Sequence, residues 1–211
     1  MKIFLKRPSI VWTYFEGKDN TETIIKEKAI SIASFMLDVL IDSGNLTQVS
    51  LSGKKKILMA GDAACTHLII ETLVFSIDLV MRAVSELINE EKTDIFFDSL
   101  MLGIDKQLVV RFDVESSDVE QFLINFHFIC VERWKKYKKY EDVMLKSEER
   151  FGEKHALYRK FGRNITDIID LNVDLAIDAD VQCLYTCACL PVKFTRELFS
   201  LGTDFDGKGG G

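Results

Sequence analysis

Ile169-Asp170-Leu171-Asn172-Val173-Asp174-Leu175-Ala176-Ile177-Asp178-Ala179-Asp180-Val181-Gln182-Cys183 is the stretch whose reading decides the fold class. Ile169, Leu171, Val173, Leu175, Ile177, Ala179 and Val181 occupy every second position, with carboxylates and amides filling most of the places between them. Side chains of a strand point alternately to its two faces, so this period of two predicts a long strand with one face buried and one acidic face in water. On a helical wheel the same apolar residues scatter around the axis. Asp170, Asp174 and Asp178 would share the wet face, but four strand residues span about 13 Å, too far for a shared cation. They read as charges that keep an edge soluble.

Working outward from that strand, the sequence predicts three long helices. The first runs from Thr21 to Ser43, between the capping group Asp19-Asn20-Thr21 and the stop Gly44-Asn45. Its apolar residues cover more than one face, which places it centrally. The second opens at Gly61-Asp62 and ends near Glu91. The third opens on Ser117-Asp118-Val119-Glu120, which has the form of a capping box, and continues through Trp134 toward Lys146. Val49-Ser50-Leu51 and Ile57-Leu58-Met59 flank Ser52-Gly53-Lys54 as a hairpin. Ile95 to Leu102 and Leu108 to Val114 form a second, turning at Gly103 and Asp105-Lys106. A short strand at Ile3-Phe4-Leu5 and a short helix within 150–164 complete the reading. The expected architecture is α+β, three long helices packed on an antiparallel sheet of hairpins and a long C-terminal strand. One domain covers 1–205, and 206–211 is a Gly-rich flexible tail. The terminal Gly-Gly resembles that of ubiquitin-like proteins, although those are much smaller β-grasp domains.

Composition narrows the function classes. The chain has 211 residues, 47% of them hydrophobic, with 2 prolines, which suits a packed globule rather than a disordered chain. Its net charge is −6, so the whole surface does not favour a phosphate backbone. Cys65, Cys130, Cys183, Cys187 and Cys189 make an odd count with no secretory leader in view, which fits free thiols in the cytoplasm. The apolar run from Ala63 is broken by His67, Glu71, Asp78 and Arg82, which excludes it as a membrane span. No cofactor is implied.

Four constellations could carry chemistry. His67, Glu71, Asp78, Arg82, Ser85 and Asn89 form a narrow polar stripe on the second helix, which reads as its solvated face. His67 and Glu71, four apart, are the candidate metal ligands. Arg133-Trp134-Lys135-Lys136-Tyr137-Lys138-Lys139-Tyr140 is a basic and aromatic segment in an acidic protein. Arg133, Trp134, Lys135, Lys136, Tyr137 and Lys139 are its candidate binding residues, for an acidic protein partner or for nucleic acid. Cys183, Cys187 and Cys189 would lie on one side of a strand, as core thiols. His127 reads as a core histidine.

The fourth constellation is Arg150-Phe151-Gly152-Glu153-Lys154-His155. It resembles the Arg-x4-His signature of HEPN ribonucleases, a resemblance of six residues in which Phe151 replaces a residue that is commonly polar. The resemblance implies that Arg150 would stabilise phosphate charge and His155 would transfer the proton in RNA cleavage. The leading expectation is nevertheless a non-enzymatic macromolecule-binding protein, an adaptor or inhibitor acting through protein–protein contacts and oligomeric. RNA cleavage by Arg150 and His155, or metal binding by His67 and Glu71, are the alternatives.

Overall fold

A computed structural model describes residues 20–42, 51–140, 156–168 and 179–200. These residues form α1 (Asn20–Leu37, continued by a π-helical turn Asp38–Asp42), α2 (Leu51–Ser85), α3 (Glu90–Arg111), α4 (Val119–Tyr137, continued by a 3-10 turn Lys138–Tyr140), α5 (Ala156–Ile168) and α6 (Ala179–Ser200). There is no strand among them, so the α+β expectation with its antiparallel sheet is overturned. Of the proposed C-terminal strand, Ala179 to Cys183 forms the first turn of α6, while 169–178 lie outside the described residues. The short alternation leads into Leu184, Cys187, Ala188, Pro191, Thr195 and Leu198, all buried or nearly so at helical spacing. That longer pattern decides the local structure.

Both hairpins are helical where they are described. Residues from Leu51 to Met59 open α2, with Ser52-Gly53-Lys54 inside the helix. The second hairpin is α3, unbroken from Glu90 to Arg111. Phe96, Leu100, Ile104 and Leu108 recur every fourth residue and are buried, a helical seam that outweighs the β-branched residues around it. Asn89 caps this helix by accepting from Lys92 N at 3.0 Å, with Glu90 and Glu91 in the first turn and Arg111 in the last, as the helix dipole favours. Gly103, read as a turn, instead lets two helices approach: a Cβ there would lie 3.0 Å from Ala33 Cβ on α1. The helix stops at Asp113, whose φ is +48°. Asp113 N donates to Val110 O and Val114 N to Val109 O, a Schellman motif that closes the last carbonyls.

The capping box before α4 does not form. Ser117 Oγ bonds Asp118 Oδ1 at 3.2 Å, and Asp118, the residue at the cap position, makes no side-chain cap. α4 still begins there, with Phe122 N donating to Asp118 O and Phe112 against Phe122 across the turn.

α2 is the central helix, about 50 Å long at 1.5 Å per residue. Every residue from Ile70 to Val80 is buried, so it has core on all sides. One apolar cluster joins it to α1, α3, α4 and α6, around Met36, Leu73, Ile77, Phe96, Leu100 and Phe126. A second joins it to the end of α4, to α5 and to α6, around Phe75, Tyr137, Phe161, Ile165 and Leu184. Phe75 stacks on Phe161 at 4.3 Å between ring centroids and meets Tyr137 edge-on at 5.1 Å. Two buried hydroxyls on α2 are satisfied within the helix, Thr72 donating to Leu68 O and Ser76 to Thr72 O. No described helix is long and apolar enough to cross a membrane.

Candidate functional site

The polar stripe runs along this central helix, so its middle part is enclosed. Glu71 is 2% exposed and Asp78 8%. Burying a carboxylate is unfavourable by several kcal/mol unless donors replace the lost water. Three donors do so at Glu71. Tyr137 OH donates to Oε1 at 2.6 Å and Asn164 Nδ2 at 2.7 Å, while Arg133 Nε donates to Oε2 at 2.7 Å. Asn164 Nδ2 also donates to the Tyr137 oxygen at 3.0 Å. The cluster therefore ties α2 to α4 and α5 through polar atoms in a dry interior. Burial, and then the neighbouring Glu71 charge, push the Tyr137 phenol well above its ordinary value.

Farther along α2, Asp78 accepts from Arg82 Nε at 2.8 Å. The same guanidinium donates to Tyr137 O at 3.0 Å and Tyr140 O at 3.3 Å. These are carbonyls at the C-terminal end of α4 and its 3-10 turn, where a helix leaves acceptors without internal donors and where positive charge is favoured. Glu71 holds the side chains of this end and Arg82 holds its backbone. The expectation that the stripe is a solvated face holds for exposed His67 and Ser85, and fails for Glu71 and Asp78. His67 and Glu71, the candidate metal ligands, share a helix but not an environment: one faces outward, the other is enclosed. Among the described residues no group of three or more His, Cys, Asp or Glu side chains gathers as a metal site would require.

The basic and aromatic segment is sorted by the same packing. Tyr137 is fully buried, and Trp134 is half-buried, its ring edge-on to Phe97 at 5.4 Å. Trp134 Nε1 is enclosed without a hydrogen-bond partner among the described residues. These two rings belong to the fold and offer no face for a base to stack on. Lys135, Lys136, Lys138 and Lys139 point to solvent. Lys135 pairs with Glu132 at 2.8 Å, while the other three make no ion pair with a described residue. On α5, Lys160 lies near Lys136 and Arg133. Burial, then the charges of Lys136 and Arg133, lower its affinity for a proton.

Comparison with family models, curated proteins and solved structures returns no match to this chain. The residues themselves therefore carry the functional argument. Arg150 and His155, the candidate catalytic pair, lie outside the described residues, as do Asp170, Asp174, Asp178 and the 206–211 tail. The cysteine cluster loses its strand geometry. Cys187 is buried and Cys189 half-buried on α6, and two residues along a helix turn about 200° from one another. The buried Cys130 thiol is pushed up to about 12 by desolvation, with Asp105 adding to the effect, so it is no nucleophile at neutral pH. His127 is exposed rather than in the core, its Nε2 2.9 Å from Asp105 Oδ1. A half-open cleft of about 340 Å³ separates α2 from α6, floored by Leu79 and Val192. Arg82 on its rim is already committed to Asp78 and to the α4 carbonyls.

One surface feature escaped the sequence reading. Ile124, Phe128 and Val131 on α4 are 54%, 66% and 45% exposed. The signal was present in their i, i+4, i+7 spacing, which places all three on one helix face.

Proposed function

We propose that this protein is a non-enzymatic macromolecule-binding protein, of the adaptor or inhibitor type, that acts through protein–protein contacts at the end of α4. The observation that carries the reading is the sorting of residues 133–140. Trp134 and Tyr137 turn into the fold while Lys135, Lys136, Lys138 and Lys139 turn out to solvent, with Lys136 near Lys160 of α5. Positive charge is thus gathered at the end of α4 in a chain whose net charge is −6. A partner's carboxylates would relieve the mutual repulsion of Lys136, Lys160 and Arg133, and such complementarity speeds and orients association. An acidic protein segment fits this flank better than RNA, because the aromatic rings that would stack on bases are engaged in the core. The polar cluster at Glu71 supports the same reading, since its carboxylate oxygens are spent on holding three helices together.

The test uses two labelled probes of equal charge, a glutamate-rich peptide and a single-stranded RNA, in fluorescence anisotropy at low and moderate salt. The peptide should bind, weakening as salt rises, and the combined variant Lys136→Gln, Lys138→Gln, Lys139→Gln should bind it at least ten-fold more weakly. Equal binding by the variant, or binding of RNA alone, overturns the proposal.

A further inference from the structure

The outer face of α4 carries more than an apolar stripe. Glu120, Ile124, Phe128, Val131 and Lys135 fall within about 80° of one another around the helix axis, at 100° per residue. All five are exposed. The order along the face is acid, three apolar residues, base, with exposed His127, engaged by Asp105, at its edge. The outer pairs share one midpoint: Glu120 with Lys135 and Ile124 with Val131 both centre between His127 and Phe128. Ile124, Phe128, Val131 and Lys135 also follow the alternating four-and-three spacing of a helix–helix seam.

We propose that this face is a self-association surface, on which a second copy of this chain lays its own α4 antiparallel across a two-fold axis passing near Phe128. This deepens the protein–protein reading above and rests on it. In the antiparallel arrangement Ile124 meets the second copy's Val131, the two Phe128 rings pack beside each other at the axis, and Glu120 meets Lys135 at both ends. A parallel arrangement would set Glu120 against Glu120 and Lys135 against Lys135, so charge selects the antiparallel one. A surface that is its own complement is what a two-fold dimer needs. The existing Lys135–Glu132 pair does not compete strongly, because both side chains are well exposed and such pairs contribute little. The lysine flank at Lys136 and Lys160 lies to the side of the seam and stays available. A single helix pair buries an area at the small end of specific interfaces, below about 1,200 Å², so the dimer is expected to depend on concentration.

Sedimentation velocity of the full chain across a concentration series tests the proposal. The unaltered protein should shift from monomer to dimer as concentration rises. Phe128→Asp should remain monomeric with an unchanged circular dichroism spectrum, because the side chain lies outside the core. Glu120→Lys alone and Lys135→Glu alone should each weaken dimerisation at least ten-fold. The double variant Glu120→Lys, Lys135→Glu should restore it, since each swapped acid again faces a swapped base. A monomer at every concentration overturns the dimer, as does a dimer indifferent to Phe128→Asp. Failure of the double variant to recover overturns the antiparallel pairing. If the chain is monomeric yet still binds the glutamate-rich peptide, the dimer falls and the lysine flank stands. If it dimerises but ignores the peptide, the reverse holds.

Discussion

α4 carries two seams with the same spacing and opposite fates. Phe126, Cys130, Arg133 and Tyr137 run along its inner side; Ile124, Phe128, Val131 and Lys135 run along its outer side, two residues earlier and so about 200° around the axis. On the inner seam the polar atoms are matched: Arg133 and Tyr137 both donate to Glu71, and Arg82 takes the carbonyls at the helix end. On the outer seam the apolar atoms are unmatched within the described fold, with Phe128 66% exposed. A seam whose groups are all satisfied stabilises the fold and has nothing left to offer a partner. The seam left uncovered is where binding free energy remains to be gained.

Substitutions on the inner seam should cost far more stability than those on the outer one. Glu71→Ala leaves the Arg133 guanidinium without its buried partner and should cost about 3–5 kcal/mol in urea denaturation. A loss under about 1 kcal/mol would mean the inner seam does not depend on its polar cluster. Phe126→Ala, at a residue 2% exposed, should also cost about 3–5 kcal/mol through the cavity it leaves. Tyr137→Phe removes one donor to Glu71 and should cost about 1–3 kcal/mol at neutral pH. It should also change the alkaline limb of stability. Because the folded state holds the Tyr137 proton more tightly than the unfolded chain, the contribution is complete below about pH 10 and is lost as pH rises beyond it. The unaltered protein should therefore lose stability above about pH 10 more steeply than Tyr137→Phe, and equal slopes would contradict the buried phenol. The smallest effect belongs to the outer seam. Phe128→Ala, measured in dilute solution where the chain is monomeric, should change stability by no more than about 0.5 kcal/mol. A larger loss would place Phe128 in the core and remove the contrast between the seams.

Some of this was legible before any fold was known. The helices α1 and α4 announce themselves by their apolar spacing, and their centres lie where that spacing puts them. α3 was misread because Gly103 and the β-branched residues near it imitate a hairpin, while the decisive fact is the closeness of Ala33 on another helix. Local sequence cannot report a partner that far along the chain. α6 was misread for a related reason. The alternation through Ala179 and Val181 was weighed without the helical seam of Leu184, Cys187, Ala188 and Leu198 that continues it. At the candidate site, a carboxylate such as Glu71 inside an apolar run is a visible anomaly, but exposure and burial both explain it until its donors are known.

The sequence by itself determined that this chain is rich in apolar helix-forming segments, carries net negative charge, and gathers lysines and aromatics at 133–140. It also contained both seams of α4, alike in spacing and comparable in apolar character. Only the tertiary structure decided which of them became interior. The acceptor for Arg133 and Tyr137 is Glu71 on α2, the further donor is Asn164 on α5, and the cap for the helix end is Arg82. The side of α4 that turned inward is the one whose polar groups meet partners on other helices, and those partners lie far away in sequence.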